Sequence, residues 1–364
     1  MTRKVFKIIL YIASVVILVV FIIGITLWLK SPGTTEPISD NEGNPMKESI
    51  ASIEKIALGG QEQYIIIRGV DTSKPIMLFL HGGPGSPEVA FMKHYNRDIE
   101  KDYVMVYWEQ RGAGKSWSKN IPPESMNLEQ LISDTRELSE YLAHRFDREK
   151  ILLMGHSWGS LLGILTAYSH PELYHAYFGI GQVGDQLEGE RISLEWAKAR
   201  AAERNDTRAV KKLNALNFPG KEATADEWIS YLMKERRYVN RYGGGTLKEV
   251  TGMWPLVWIV LNSGVYTLRE KLNFMKASMF SLEHMWLDVI QTNLFHEIDS
   301  MSLPVYIFHG IHDYTTPYPV AKDFYEQLKA PQKEFYAFEN SAHSPVMEEP
   351  EKFNTILRNV TRQY

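Results

Sequence analysis

Six short apolar runs punctuate the chain: 76-IMLFL-80, 103-YVMVYW-108, 151-ILLM-154, 175-HAYFGIG-181, 304-PVYIFHG-310 and 333-KEFYAF-338. A strand with one wet face alternates apolar and polar residues, whereas a short run without alternation suits a strand covered on both faces. Helical patterns separate these runs. Within 127–145, Leu128, Leu131, Ile132, Thr135, Leu138, Tyr141 and Leu142 recur at three- and four-residue spacing. Further helices are expected after Ser157, near 318–328 and near 350–362. Strands alternating with helices predict a doubly wound α/β domain with a mostly parallel sheet. Ahead of them, 52-SIEKIALGGQEQYIIIRG-69 reads as two strands joined at Gly59-Gly60, a hairpin.

The rhythm stops near residue 182. From there to about residue 300 helical patterns dominate (187–204, 207–216 and 225–238), followed by an aromatic- and Met-rich region from Met253 to Phe295. The reading is one α/β core, residues 50–181 and 301–364, interrupted by a mostly helical cap at 182–300. A chain of 364 residues has room for that arrangement. The apolar stretch 252-GMWPLVWIVLNSG-264 is too short for a membrane span and is broken by Pro255.

The N-terminus has a different character. Ile8 to Leu29 is an almost unbroken apolar run, long enough as a helix to cross a hydrocarbon core about 30 Å thick. Arg3, Lys4 and Lys7 precede it, and only Lys30 follows closely. Positive charge on the inside predicts a cytoplasmic N-terminus, with everything after residue 30 outside the cell membrane. A cleaved signal peptide is the rival reading, but its apolar region is typically about 7–15 residues long and ends in small residues. Here the run ends in Trp28-Leu29-Lys30-Ser31-Pro32. Residues 1–30 are therefore expected to be a single-pass anchor, and residues 31–49 a polar tether.

A net charge of −4 and a pI near 6.3, with no basic stripe, argue against nucleic acid as a partner. Cysteine is absent, which excludes disulfides, thiolate zinc sites and a cysteine nucleophile.

The stretch 151-ILLMGHSWGSLLG-163 places Gly155-His156-Ser157-Trp158-Gly159 between a buried strand and a helix. Glycine and serine make turns anywhere, but G-x-S-x-G in this context is the signature of a nucleophile elbow, which exposes the serine on strained backbone. A serine hydroxyl needs a base, and the base needs an acid to orient it. In the chain order serine, acid, histidine, the base is His343 in 339-ENSAHSPVMEEP-350. The acid is Asp313, just past the C-terminal end of the strand at 304–308, with Asp185 as the alternative. His309 and His312 read as loop residues, His81 and His156 as local hydrogen bonders. Two N–H donors for an oxyanion are expected from Trp158 and from 81-HGGPG-85, at Gly83 with Gly82 second.

Together, 81-HGGPG-85, 107-YWEQRGAGKS-116, 155-GHSWGS-160, 310-GIHD-313 and Ala342-His343 resemble the proline iminopeptidase group of α/β-hydrolases, over roughly residues 52–181 and 301–362. The resemblance implies an α/β-hydrolase fold with a helical cap, no metal and no organic cofactor. It implies a serine hydrolase acting on a peptide or amide with a free N-terminus. Epoxide hydrolases and haloalkane dehalogenases share the fold but use an aspartate nucleophile, so Ser157 excludes their chemistry. The chain departs from the group at Glu109, where aspartate is usual, and at His156, where glycine is usual. The group binds the substrate's amine through acids in the cap, for which Glu188, Glu190, Glu195 and Glu235 are candidates. Trp254 and Trp258 are candidates to line an apolar pocket over Ser157. The alternative substrate is a small acyl ester or lactone, which the same triad would serve. A sensor on a retired hydrolase scaffold is a third reading.

Overall fold

The computed structural model describes residues 3–40 and 42–364; Met1, Thr2 and Asn41, in the expected anchor tip and tether, lie outside the described residues. Two strands, β1 (Ile50–Leu58) and β2 (Gln61–Gly69), form the hairpin, turning at Gly59 and Gly60, both with positive φ. Six more follow: β3 (Ile76–Leu80), β4 (Val104–Glu109), β5 (Ile151–His156), β6 (Tyr174–Ile180), β7 (Val305–Gly310) and β8 (Lys333–Phe338). All eight join one sheet in the order β1-β2-β4-β3-β5-β6-β7-β8. The β1–β2 and β2–β4 pairs are antiparallel, and every other pair is parallel. Strands β3, β4, β5 and β7 are buried at every residue, which is why their sequences show no alternation.

Successive residues of these strands feed two cores. Leu78, Leu80, Val106, Trp108 and Leu153 point to one face, and Met77, Phe79, Met105, Tyr107 and Met154 to the other. A long N-terminal helix, α1 (Arg3–Leu29), precedes the sheet, and α2 (Val89–Tyr95) packs on its second face. On the first face lie α3 (Leu128–Arg145), capped by the Asn127 side chain, and α4 (Trp158–Ser169).

Between β6 and β7 the chain is helical: α5 (Gln186–Glu203), α6 (Thr207–Asn214), α7 (Ala225–Arg241), α8 (Trp254–Asn262), α9 (Leu268–Gln291) and the single turn α10 (Leu294–Glu297). Capping boxes at Thr224/Glu227 and Thr267/Glu270 start α7 and α9. The chain ends with α11 (Tyr318–Gln327), α12 (Pro345–Glu348) and α13 (Pro350–Thr361), whose Phe353 and Leu357 join the second core.

The cap is fastened to the α/β core by polar contacts. Tyr266 Oη donates to the buried Glu109 at 2.7 Å, Lys115 Nζ pairs with Glu270 at 2.8 Å, and Asp288 accepts from the Leu128 N–H at 2.8 Å. Burial pushes the Glu109 carboxyl up to about 7, although it also accepts the Lys115 N–H.

The segment expected to be a polar tether is laid along the domain. Pro32 bridges to Thr267, and the Thr34 N–H donates to Gly264 O at 3.1 Å. Arg68 Nη1 donates to the Thr35 hydroxyl and, at 2.9 Å, to the Glu36 carbonyl. Glu36 pairs with Lys93, Ile38 is buried, and Glu48 O accepts from Thr72 N at 2.9 Å. Sequence composition showed polarity here, but the partners of that polarity lie on β2, α2 and the cap.

Candidate active site

The turn after β5 can form only because its flanking positions lack side chains. A Cβ on Gly155 would sit 2.1 Å from Gly159 O, and one on Gly159 would sit 2.1 Å from Leu80 O. Ser157, between them, has φ 57° and ψ −122°, a backbone state that non-glycine residues adopt only where the surroundings enforce it. Its N–H donates to Ile180 O at 2.9 Å, which locks the turn to the end of β6. The residue after it, Trp158, opens α4, so its N–H belongs to the first turn, where no intrahelical acceptor exists. Its indole donates to Gln110 Oε1 at 2.9 Å.

Asp313 and His343 meet beside this turn. Asp313 Oδ2 lies 2.8 Å from His343 Nδ1. The same carboxylate accepts the N–H groups of Thr315 and Thr316, and the Thr316 hydroxyl. Both Asp313 and His343 are buried. Burial opposes ionisation of Asp313, but the His343 and His309 imidazoles beside it outweigh burial and hold the carboxyl well below the usual range. Burial also lowers the proton affinity of His343, against the pull of Asp313. The pair is therefore a carboxylate and a neutral imidazole at neutral pH, with Nδ1 bound to the acid and Nε2 left to exchange a proton. The ring rests on Gly181, one residue past the carbonyl that holds Ser157: a Cβ there would meet His343 Cε1 at 2.9 Å.

His309 takes a fixed tautomer. Its Nδ1 accepts the Gln182 N–H at 3.2 Å, so Nε2 carries the proton and faces Thr316 O at 2.8 Å and Asp313 Oδ2 at 3.2 Å. Both imidazoles thus approach the same carboxylate oxygen, Asp313 Oδ2. Asp185, the alternative acid, is occupied elsewhere, capping α5 and accepting from Asn293 at 2.7 Å.

The loop 81–85 lies over the same turn, and a Cβ on Gly82 would come within 3.0 Å of Ser157 Cβ. The Gly82 N–H is taken by Glu88 Oε1 at 2.8 Å, and Gly83 follows it with φ 117°. His81 fixes the loop from behind: Nδ1 donates to Gly82 O at 2.8 Å, and Nε2 accepts the Gln110 N–H at 3.2 Å. Burial drives its basicity down to about 4, as befits a neutral linker. Gln110 therefore ties this loop to Trp158, while Arg111 binds Asp134 and the carbonyls of Leu58 and Gly59. These contacts explain the motif 107–116, which carries no reacting group.

Glu88 gave no signal in the sequence. It is buried, with both carboxylate oxygens 2.9 Å from His156 Nδ1, and His156 Nε2 lies 3.0 Å from the carbonyl oxygen of His343. Burial disfavours charge on both residues, but their mutual attraction wins, lowering the Glu88 carboxyl and raising His156. A second acid–histidine pair thus runs from the loop 81–85 to the backbone of the first.

A family model described as the alpha/beta hydrolase fold matches residues 75–350. The chain belongs to the α/β-hydrolase family. A Bacillus subtilis (strain 168) protein named "Probable aminopeptidase YbaC" is 33% identical over 86% of this chain and 98% of its own length. A proline iminopeptidase of Lactobacillus helveticus is 25% identical over 84% of this chain and 95% of its own. The crystal structure of a proline iminopeptidase from Mycobacterium smegmatis shares the fold, with a TM-score of 0.61 at 14% identity over 86% of this chain and 98% of that one.

In this proline iminopeptidase-like α/β-hydrolase the cap acids divide into two kinds. Glu188 and Glu195 are partly exposed and pair with Arg191 and Lys198 on their own helix. Glu190 and Glu235 are fully buried and share Arg236, with Ser193 donating to Glu235 at 2.7 Å. Gln186 Nε2 links Glu190 (2.7 Å) to the carbonyl of Thr315 (3.0 Å), two residues past Asp313. Burial, opposed by Arg236, pushes Glu235 up to about 7. Trp254 and Trp258 do not line a covered pocket: they are 65% and 54% exposed on the outer side of α8. Helical spacing marked them as apolar, but only packing decides which side of a cap helix is buried. No group of three or more His, Asp or Glu side chains is placed to hold a metal ion among the described residues.

Proposed function

We propose that this hydrolase is a serine aminopeptidase or amidase, cleaving next to a free N-terminal residue through an acyl-enzyme on Ser157. The Asp313–His343 pair, 2.8 Å apart beside the strained Ser157 turn, carries the reading. Ser157 Oγ attacks the scissile carbonyl carbon as His343 Nε2 takes its proton. The amides of Gly83 and Trp158 stabilise the oxyanion, and the carbonyl re-forms as the C–N bond breaks, with His343 protonating the leaving amine. Water, activated by His343, then hydrolyses the ester and restores Ser157. Asp313 holds the imidazole tautomer throughout. The 33%-identical relative and the acidic cap support a substrate with an amino group, for which Glu190 and Glu235 are the recognition carboxylates.

One observation favours a second reading: Arg236 already neutralises much of that acidic pair, which suits a small acyl ester lacking an amine. Values of kcat/KM on aminoacyl arylamides (proline included), their N-acetyl forms and a short p-nitrophenyl ester separate the two. Preference for the free-amine arylamides, lost on acetylation, is expected. Ester turnover alone would overturn the peptidase reading, and Ser157→Ala is the control.

The proposed location is the cell membrane, with α1 as anchor, its N-terminus cytoplasmic and the catalytic domain outside. Lys7–Leu29 has a mean hydropathy of 3.2 and no buried residues, as suits a segment surrounded by lipid.

A further inference from the structure

The anchor ends beside the cap. Lys30, the residue after α1, donates from Nζ to Asn262 Oδ1 at 2.6 Å and lies 6.0 Å from the ring centre of Trp258. Its carbonyl accepts from Lys271 Nζ at 2.8 Å, and that ammonium also reaches Leu261 O at 2.8 Å. The C-terminal ends of α1 and α8 and the start of α9 therefore meet at one junction.

Large apolar side chains around this junction are uncovered. Besides Trp254 and Trp258, whose rings lie 6.3 Å apart, Leu272 is 74% and Met275 54% exposed. Trp254 and Trp258 share a helix face at four-residue spacing, as Leu272 and Met275 do at three. Exposed Arg269 and Lys276 flank them, while the nearby acid Glu270 is bound to Lys115. Other exposed large apolar residues of the domain, such as Tyr141, Tyr168 and Ile311, sit on separate elements, as single surface residues normally do.

We infer that α8 and the first turns of α9 lie on the outer leaflet of the membrane as an interfacial surface, an inference that rests on reading α1 as a membrane span. If α1 crosses, Trp28 and Lys30 are at the headgroup level, and the groups bonded to Lys30 share that depth. From Asn262 back to Trp254, α8 extends only about 12 Å, so the whole helix stays near the interface. Tryptophan is the side chain enriched at that level, and exposed cations beside it match anionic headgroups. The inner side of α8, Ile259 and Val260, joins the core cluster that holds Val89 and Met92 of α2, which begins directly after Glu88. Two helices, α8 and α2, thereby link the lipid side to Glu88.

The chain lacks cysteine, so single-cysteine probes in the full-length protein test this directly. Bimane would be attached at Trp258→Cys, Leu272→Cys, Val16→Cys in α1 and Tyr168→Cys on the opposite face of the sheet. The proteins would be reconstituted in phosphatidylcholine/phosphatidylglycerol vesicles carrying doxyl-labelled lipid. The expected result is quenching at 258 and 272 by shallow doxyl groups, by about twofold or more, with position 16 quenched by deep ones and 168 unaffected. If 258 and 272 behave like 168 while 16 is quenched, the interface proposal fails and the anchor stands. If 16 is also unquenched, the anchor reading fails and the proposal with it. Excimer emission from pyrene at 258, without lipid quenching, would assign the face to a second copy of the chain and overturn the proposal.

Discussion

His156 Nδ1 lies 2.9 Å from both carboxylate oxygens of Glu88, in a buried ion pair that joins the loop over Ser157 to the backbone of His343. Glu88 touches the Gly82 N–H and His156, and reaches the reacting groups only through them, so its role is to position.

Glu88→Gln keeps the shape and removes the charge. A buried charge-assisted hydrogen bond is worth about 1.5–3 kcal/mol, so kcat/KM should fall by about 10- to 100-fold if the loss is felt at the transition state. Combining it with His156→Gln should cost much less than the sum of the two single changes, because the pair acts as a unit. Full additivity in a double-mutant cycle would contradict the assignment.

The pair also sets a pH window for stability. The Glu88 carboxyl is lowered from 4.5, so its contribution is present above that value and lost as pH falls through the folded pKa. His156 is raised from 6.5, so its contribution is full below 6.5 and is lost as pH rises through the folded pKa. The drop in Tm caused by Glu88→Gln should therefore be largest between 4.5 and 6.5. Thermal melts from pH 4 to 9 read this out, and a uniform drop would contradict it.

Ser157→Ala should abolish labelling by a fluorophosphonate. Asp313→Asn should leave the fold intact and lower kcat by about 10⁴, since it favours the wrong imidazole tautomer. With the folded His343 value held below 6.5 by burial, the acidic limb of kcat/KM should have its midpoint below 6.5. A limb at or above 6.5 would point to a different base.

Glu109 gives a sign test. Its folded carboxyl is raised from 4.5 to about 7, so the protein is favoured below 4.5 and loses that advantage as pH rises through about 7. Glu109→Gln, whose Oε1 can accept the Lys115 N–H while its Nε2 donates to the Tyr266 hydroxyl, should therefore gain stability relative to the parent between pH 5 and pH 8. The gain is on the order of a few kcal/mol, measurable by urea denaturation at the two pH values.

Several parts of the molecule were legible before folding was considered. The runs 76–80, 151–154 and 304–310 became strands because burial on both faces leaves a continuous apolar pattern. The Ser157 turn was legible because close packing there demands glycine on both sides. Asp313 and His343 were expected near each other from their places after strands, since strand ends cluster where a parallel sheet presents its loops, and they lie 2.8 Å apart. Glu88 was not found, because it looks like any surface glutamate in a loop and its partner His156 is 68 positions away.

The same division holds elsewhere. By itself the sequence determined the alternation of elements, the apolar N-terminal segment and the chain order of Ser157, Asp313 and His343, each a property of local pattern or spacing. Only the tertiary structure decided that Glu190 and Glu235 share Arg236. It alone laid residues 31–38 against Arg68 and Lys93, and it alone turned Trp254 and Trp258 outward. Periodicity records which residues leave water. The identity of a polar side chain's partner, and which side of an all-apolar helix stays exposed, depend on surfaces that exist only once distant elements have packed.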